Sequence, residues 1–251
     1  MTTTNSWITC PKPNPKARLR LFCFPFAGGA ASSFRTWPEQ LAPDIEVCPV
    51  ELPGRGKRLR EPLVTGLLPL IETLTPLLLP YLDIPFAFFG HSMGTLISFE
   101  LARQLRRQEA PSPRHLFISG RRAPQLAARK PPIHNLPKPE LIEELRQYNG
   151  TPEAVLANQE LMELFLPILR ADLGINETYT YTTEPPLNCP ISVFGGLEDT
   201  DANSDELTAW GDQTSSTFTI DMFPGGHFFI NNKKECNQLL QLITTFAYAQ
   251  R

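Results

Sequence analysis

Phe86-Ala87-Phe88-Phe89-Gly90-His91-Ser92-Met93-Gly94-Thr95 decides how this chain is read. An apolar run of strand character, Phe86 to Phe89, meets Gly90, and Ser92 follows with a glycine two residues to either side. Leu96, Ile97, Phe99, Leu101, Ala102 and Leu105 then fall on the buried face of a helix. Strand, sharp turn and helix, with serine at the apex, is the layout of a nucleophile elbow. The glycines are a physical requirement there. The serine backbone is held strained, strand and helix fold tightly together, and a Cβ at position 90 or 94 would clash. The helix start behind the hydroxyl favours developing negative charge. The same five residues also suit a turn that merely packs a helix on a strand. A catalytic reading therefore needs a base, an acid and an oxyanion hole elsewhere.

Upstream, Arg18 to Phe24 reads as a buried strand ending in Pro25-Phe26-Ala27-Gly28-Gly29-Ala30. A glycine pair just past a strand lets backbone N–H groups approach a ligand, as in the loop that supplies half of a hydrolase oxyanion hole. A short helix from Trp37 to Leu41 and a strand from Ile45 to Val50 follow. Thr65 to Tyr81 has helical spacing, with a bend or break expected near Pro69 and Pro76. After the elbow helix, which carries Arg103, Arg106 and Arg107 on its expected outer face, His115 to Gly120 is the next strand. Strands alternating with helices predict a mostly parallel sheet flanked by helices.

The rhythm breaks after Gly120, and the next strand does not begin until Pro190. Between them lie short helical patterns at Lys138 to Tyr148, Pro152 to Ala157 and Asn158 to Asp172. They read as a helical cap over the strand ends, because the sheet resumes at once and no linker composition separates the two. The expected organisation is one domain over 1–251 with an inserted lid at 121–187. Thr217 to Phe223 is the last strand, and Lys234 to Ala249 a final amphipathic helix. Residues 1–16, polar and proline-bearing, are expected to form a loosely held arm.

An acyl-transfer serine needs an imidazole within reach and an acid to hold that ring. Of four histidines, His91 sits in the elbow, His115 opens a strand and His134 lies in the cap. His227 alone lies in a Gly-rich loop after a late strand, where open α/β sheets bind ligands. Asp199 follows the preceding strand, with Glu198 and Asp201 as rivals beside it. The order Ser92, Asp199, His227 matches the α/β-hydrolase arrangement and differs from those of chymotrypsin and subtilisin.

Composition narrows the function. A net charge of −3 and a pI near 5.9 give no electrostatic footprint for nucleic acid. The apolar stretch Leu67 to Leu82 contains Glu72 and three prolines, which argues against a membrane span. Five cysteines without metal-type spacing suit free thiols in a reducing cytoplasm. No metal site or cofactor is expected.

The chain resembles the type II thioesterases, the free-standing editing enzymes of nonribosomal peptide and polyketide synthases. The resemblance runs from about Arg18 onward through FPFAGGAASSF (24–34), ELPGRGKR (51–58), FGHSMG (89–94), SGRRAP (119–124), LPILRADL (166–173), Gly195 to Trp210 and FPGGHFF (223–229). Thr200 departs from the proline that the family often has after its acid. The resemblance implies a mobile lid, a monomer, and hydrolysis of short acyl thioesters on the phosphopantetheine arm of an acyl or peptidyl carrier protein. It also implies an oxyanion hole made by the backbone N–H groups of Ala27 and Met93. Arg55, Arg58, Arg121 and Arg122 offer an acidic carrier a place to meet, though plain solvation accounts for any one of them. Alternatives of the same fold are a medium-chain thioesterase serving a fatty-acid synthase, a general esterase, and a non-catalytic binding protein.

Overall fold

Each apolar run bounded by turn residues forms a strand: β1 (Leu19–Phe24), β2 (Ile45–Pro49), β3 (Phe86–His91), β4 (Leu116–Ser119), β5 (Ile191–Gly196) and β6 (Phe218–Phe223). In this computed structural model, which describes residues 6–148 and 150–249, the strands make a six-stranded sheet in the order β2-β1-β3-β4-β5-β6. Every neighbouring pair is parallel. Parallel sheets carry helices on both faces, and β1 to β5 are accordingly apolar along nearly their whole length. The helices that connect and follow them are α1 (Trp37–Gln40), α2 (Leu67–Leu78), α3 (Met93–Arg107), α4 (Lys138–Tyr148), α5 (Glu153–Leu156), α6 (Gln159–Glu177), α7 (Ser204–Thr208) and α8 (Lys233–Ala249).

Side-chain alternation along the strands sorts the core into two layers. Phe22, Phe24, Phe86 and Phe88 share one layer with Leu70, Leu74, Leu96 and Leu101 of α2 and α3. Leu21, Cys23, Ala87 and Phe89 share the other with Trp37 of α1 and Leu239 and Ile243 of α8. A third, separate cluster lies wholly in the insert between β4 and β5. There Leu141 and Leu145 of α4 meet Leu156 of α5 and Met162, Leu166 and Leu169 of α6. The insert thus holds itself together while α6 packs on α3.

Four local expectations change. Residues 6–16 are not a loose arm. Ile8 forms an antiparallel bridge with Val50, Thr9 N donates to Pro49 O at 2.9 Å, and Trp7 is buried with the Arg58 guanidinium 3.7 Å above its ring. Residues 1–5 of the expected arm lie outside the described residues. The prolines do not break α2, because Pro69 lies in its first turn, where no N–H is needed, and only Pro76 is interior. Helix α6 runs five residues past Asp172, to Glu177, with Pro167 inside and Asn158 capping its start. Finally, Arg103 is not on an outer face. It is 2% exposed and pairs with Glu100 and Glu184, while Arg106 and Arg107 join the same cluster from further out. The short α7, closed by an Asn203–Glu206 capping box, is an addition to the expected elements. Among the described residues no helix is long and apolar enough to cross a membrane.

Candidate active site

Ser92 stands between the end of β3 and the start of α3 with φ +53° and ψ −114°, a region that side chains other than glycine seldom enter. Its neighbours explain how the strain is held. A Cβ on Gly90 would lie 2.2 Å from Gly94 O, and one on Gly94 would lie 2.0 Å from Phe24 O. Ser92 N donates to Ser119 O at 2.8 Å, and Thr95 Oγ1 to Gly90 O at 2.8 Å, which bolts the turn to β3 and β4. Met93 is the first residue of α3, so its N–H has no acceptor within the helix.

His227 follows β6, and its Nδ1 lies 2.9 Å from Asp199 Oδ2 in the turn after β5. The Asp199 side chain is fully buried, and its other oxygen accepts from Asp201 N at 2.8 Å. Asp199 is thus held by its own turn on one oxygen and fixes the orientation of the imidazole with the other. The rivals are placed otherwise. Glu198 is exposed, and the Asp201 carboxylate pairs with Lys130 at 2.8 Å, although it also lies near His227. Thr200 in place of proline leaves the Asp199–His227 bond intact.

The remaining histidines are occupied elsewhere. His91 is buried with Nδ1 2.9 Å from Ser119 Oγ, and burial, with His227 nearby, holds its pKa well below the usual value. His115 lies 2.8 Å from Ser192 Oγ and stacks on Phe117, and its burial lowers its pKa to about 4. His134 meets Glu177 within the insert.

The loop after β1 is fixed by two residues whose role sequence reasoning did not assign. Asp172 on α6 accepts from Gly28 N at 2.7 Å and is held by Arg55 at 2.6 and 2.7 Å, a two-pronged ion pair with both partners buried. Arg55 also donates to Gly29 O at 3.0 Å. One guanidinium and one carboxylate therefore clamp both sides of the Ala27-Gly28-Gly29 turn. The available signal was the pairing of a buried-type LRAD segment with an LPGR turn, two charged motifs inside apolar surroundings.

Ala27, Ser92 and His227 line one cavity of about 260 Å³, bounded by Phe228 and by Leu169 of the insert. Tyr148, at the end of α4, closes it near His227, with ring centroids 6.4 Å apart. Gly150 packs so tightly on Phe228 that a Cβ would lie 2.3 Å from its ring. The four arginines expected to face a carrier are drawn inward. Arg55 is spent on Asp172, and Arg58, 2% exposed, on Glu51 O and Glu61. Arg121 and Arg122 line the cavity.

Known proteins of similar sequence and fold place the chain in a family. The thioesterase domain family matches residues 19–246. The gramicidin S biosynthesis protein GrsT of Aneurinibacillus migulanus is 46% identical over 92% of this chain and 90% of its own. The RedJ thioesterase of the prodiginine pathway in Streptomyces coelicolor superimposes with a TM-score of 0.87 at 40% identity, covering 94% of this chain and 96% of that one. The type II thioesterase BorB of the borrelidin cluster covers both chains fully, with a TM-score of 0.88 at 35% identity. A medium-chain fatty acid synthase thioesterase of Rattus norvegicus is more distant, at 33% identity over 89% of this chain and 86% of its own. With an α/β-hydrolase sheet, a serine elbow and these relatives, the chain belongs to the thioesterase family, among the type II thioesterases of nonribosomal peptide and polyketide synthesis.

Proposed function

We propose that this chain hydrolyses acyl thioesters carried on the phosphopantetheine arm of a synthase carrier protein, through an acyl-Ser92 intermediate. The observation that carries the reading is the convergence of a strained serine and an Asp199-held imidazole on one cavity. His227 Nε2 takes the Ser92 hydroxyl proton as Oγ attacks the thioester carbonyl, and Asp199 stabilises the imidazolium. The N–H groups of Met93 and Ala27 receive the oxyanion, with the start of α3 adding its dipole. Collapse breaks the C–S bond, and His227 returns the proton to the leaving thiolate. Water then attacks the acyl-enzyme with His227 again as base, releasing the acid and restoring Ser92. The chemistry calls for no metal or cofactor on this chain.

The insert acts as the lid in this reading. Helix α6 buries Leu166, Leu169 and Leu173 beneath it while leaving Leu161, Leu164 and Phe165 partly or largely exposed, an apolar face suited to a carrier domain. The relatives favour a nonribosomal peptide or polyketide synthase over a fatty-acid synthase as the system served.

Ser92→Ala tests the core of the proposal. Its fold should survive by circular dichroism while acetyl-phosphopantetheinyl-carrier hydrolysis falls by a factor of about 10⁴ or more. A fluorophosphonate should label the wild type and leave the variant unmodified. Turnover close to wild type in Ser92→Ala would refute the assignment.

A further inference from the structure

Arg121 is a charge without a counter-charge. It stands two residues past the end of β4, lines the same cavity as Ser92, and is partly buried there. One amino group donates to the neutral amide of Asn176, and its Nε is buried with no hydrogen-bond partner. Among the described residues no carboxylate lies within ion-pair distance of it. The nearby acids are committed elsewhere: Glu206 to Arg129 at 3.0 Å and to Arg122 at 3.6 Å, Asp201 to Lys130, Glu177 to His134, and Glu100 to Arg103 and the Tyr179 hydroxyl. Arg122, beside it, has a buried Nε that is likewise unpartnered. Burial, and then the charge of Arg122, pull the Arg121 guanidinium down to about 10, so it stays charged at neutral pH. Its main-chain oxygen accepts from the buried Trp210 ring nitrogen at 2.7 Å, which anchors the residue's backbone at the cavity wall.

Leaving a partly buried guanidinium without a counter-charge is costly, and a ligand that brings the anion removes the cost. Resting on the thioesterase reading above, we infer that Arg121, with Arg122 reinforcing the positive field, is an anion subsite that engages a negatively charged oxygen group of the thioester substrate. Two parts of such a substrate carry that chemistry: a carboxylate on the acyl group, or the phosphate of the phosphopantetheine arm. A guanidinium suits both, since each presents oxygens matched to its fork.

The test uses four small thioesters, acetyl and succinyl on pantetheine and on 4′-phosphopantetheine, and reads ratios of kcat/KM within each protein. Wild type should prefer the anionic member of one pair by about tenfold or more, as a charge-assisted contact implies. Arg121→Gln should bring that ratio close to one. Loss of the succinyl preference assigns the acyl carboxylate; loss of the phosphopantetheine preference assigns the phosphate. A wild type indifferent to both anions, or ratios that Arg121→Gln leaves untouched, would overturn the subsite. Should that variant fail to fold, Arg121→Lys takes its place. It keeps the charge and loses the fork, so the preference should shrink, and an unchanged preference counts against the proposal. Free succinate and inorganic phosphate give a readout independent of turnover. At least one should raise the Tm of wild type and not of the Arg121 variant, and no shift from either anion overturns the subsite. A wild type that binds the anion but cleaves none of the four thioesters would sink the thioesterase reading and leave the subsite standing.

Discussion

Gly90 and Gly94 sit where the surrounding backbone leaves no room for a side chain. The atom that a Cβ on Gly94 would strike, Phe24 O at 2.0 Å, is backbone at the end of a buried strand, so nothing flexible can move aside. Gly94→Ala should therefore cost about 3 kcal/mol or more in denaturant unfolding. Gly211→Ala is the control: its Cβ would meet only Phe218 ring carbons at 3.6 Å and beyond, and should change stability by about 1 kcal/mol or less. Equal effects would mean that the close packing of β1 on α3 is not what selects glycine. These positions were legible from spacing alone, because few residue types permit a strand to turn into a helix so abruptly. The choice of acid was less so. Loop position favours Asp199 over Glu198 and Asp201, which would need a shifted loop, but only the folded turn, which buries Asp199 against His227 and pairs Asp201 with Lys130, shows how far apart they stand.

At the scale of elements, α6 does two jobs. Its first turns carry the exposed Leu164, while Asp172, further along, reaches Arg55 and Gly28 N. Helix α6 of the insert and the turn that presents Ala27 are thus parts of one hydrogen-bonded unit. Asp172→Asn keeps the shape and removes the charge, leaving Arg55 buried with a weakened partner. Breaking a buried pair of this kind costs about 3–5 kcal/mol when a partner is lost altogether, so the loss for the isosteric change should lie at or below that range. If the clamp positions the Ala27 turn for the proposed oxyanion contact, kcat should fall at least about tenfold with KM little changed. A drop in Tm with kcat intact would show that the pair serves stability alone. The helices and strands themselves were readable because period 2 and period 3.6 are written in the apolar residues. The clamp was not, since it joins charged residues 117 positions apart and no periodicity records such a contact. The N-terminal segment misled for a related reason. Its polar composition hides two apolar residues, Trp7 and Ile8, that find partners only once β2 and the Arg58 turn are in place.

Over the whole molecule, the exposed apolar face of α6 and the buried histidines make separate claims. If Leu164, 64% exposed, lies where a carrier docks, Leu164→Glu should lower kcat/KM for an acyl-carrier substrate about tenfold and leave small pantetheine thioesters unaffected. Equal losses on both would place the defect in the insert itself. The histidines set the response to acid. His115 has a folded pKa of about 4 against about 6.5 in an unfolded chain, and His91 is lowered in the same direction by burial and by His227. Between those values the unfolded chain binds a proton that the folded chain refuses, so stability is complete above pH 6.5 and declines as pH falls towards 4. The His115 contribution amounts to about 3 kcal/mol at the lower end. Carboxylates act in a lower window. Glu184 is pushed up by burial, but hydrogen bonds from Arg107, Arg103 and Arg106 outweigh this and hold it at about 2, so its share is lost only below about pH 4.5. Denaturant unfolding from pH 8 to 4.5 should therefore show a loss that His115→Gln reduces, because glutamine can keep a hydrogen bond to Ser192 and takes up no proton. An unchanged slope in that variant would mean that His115 is already protonated in the folded chain, paired with Ser192 as a cation and not as a neutral ring.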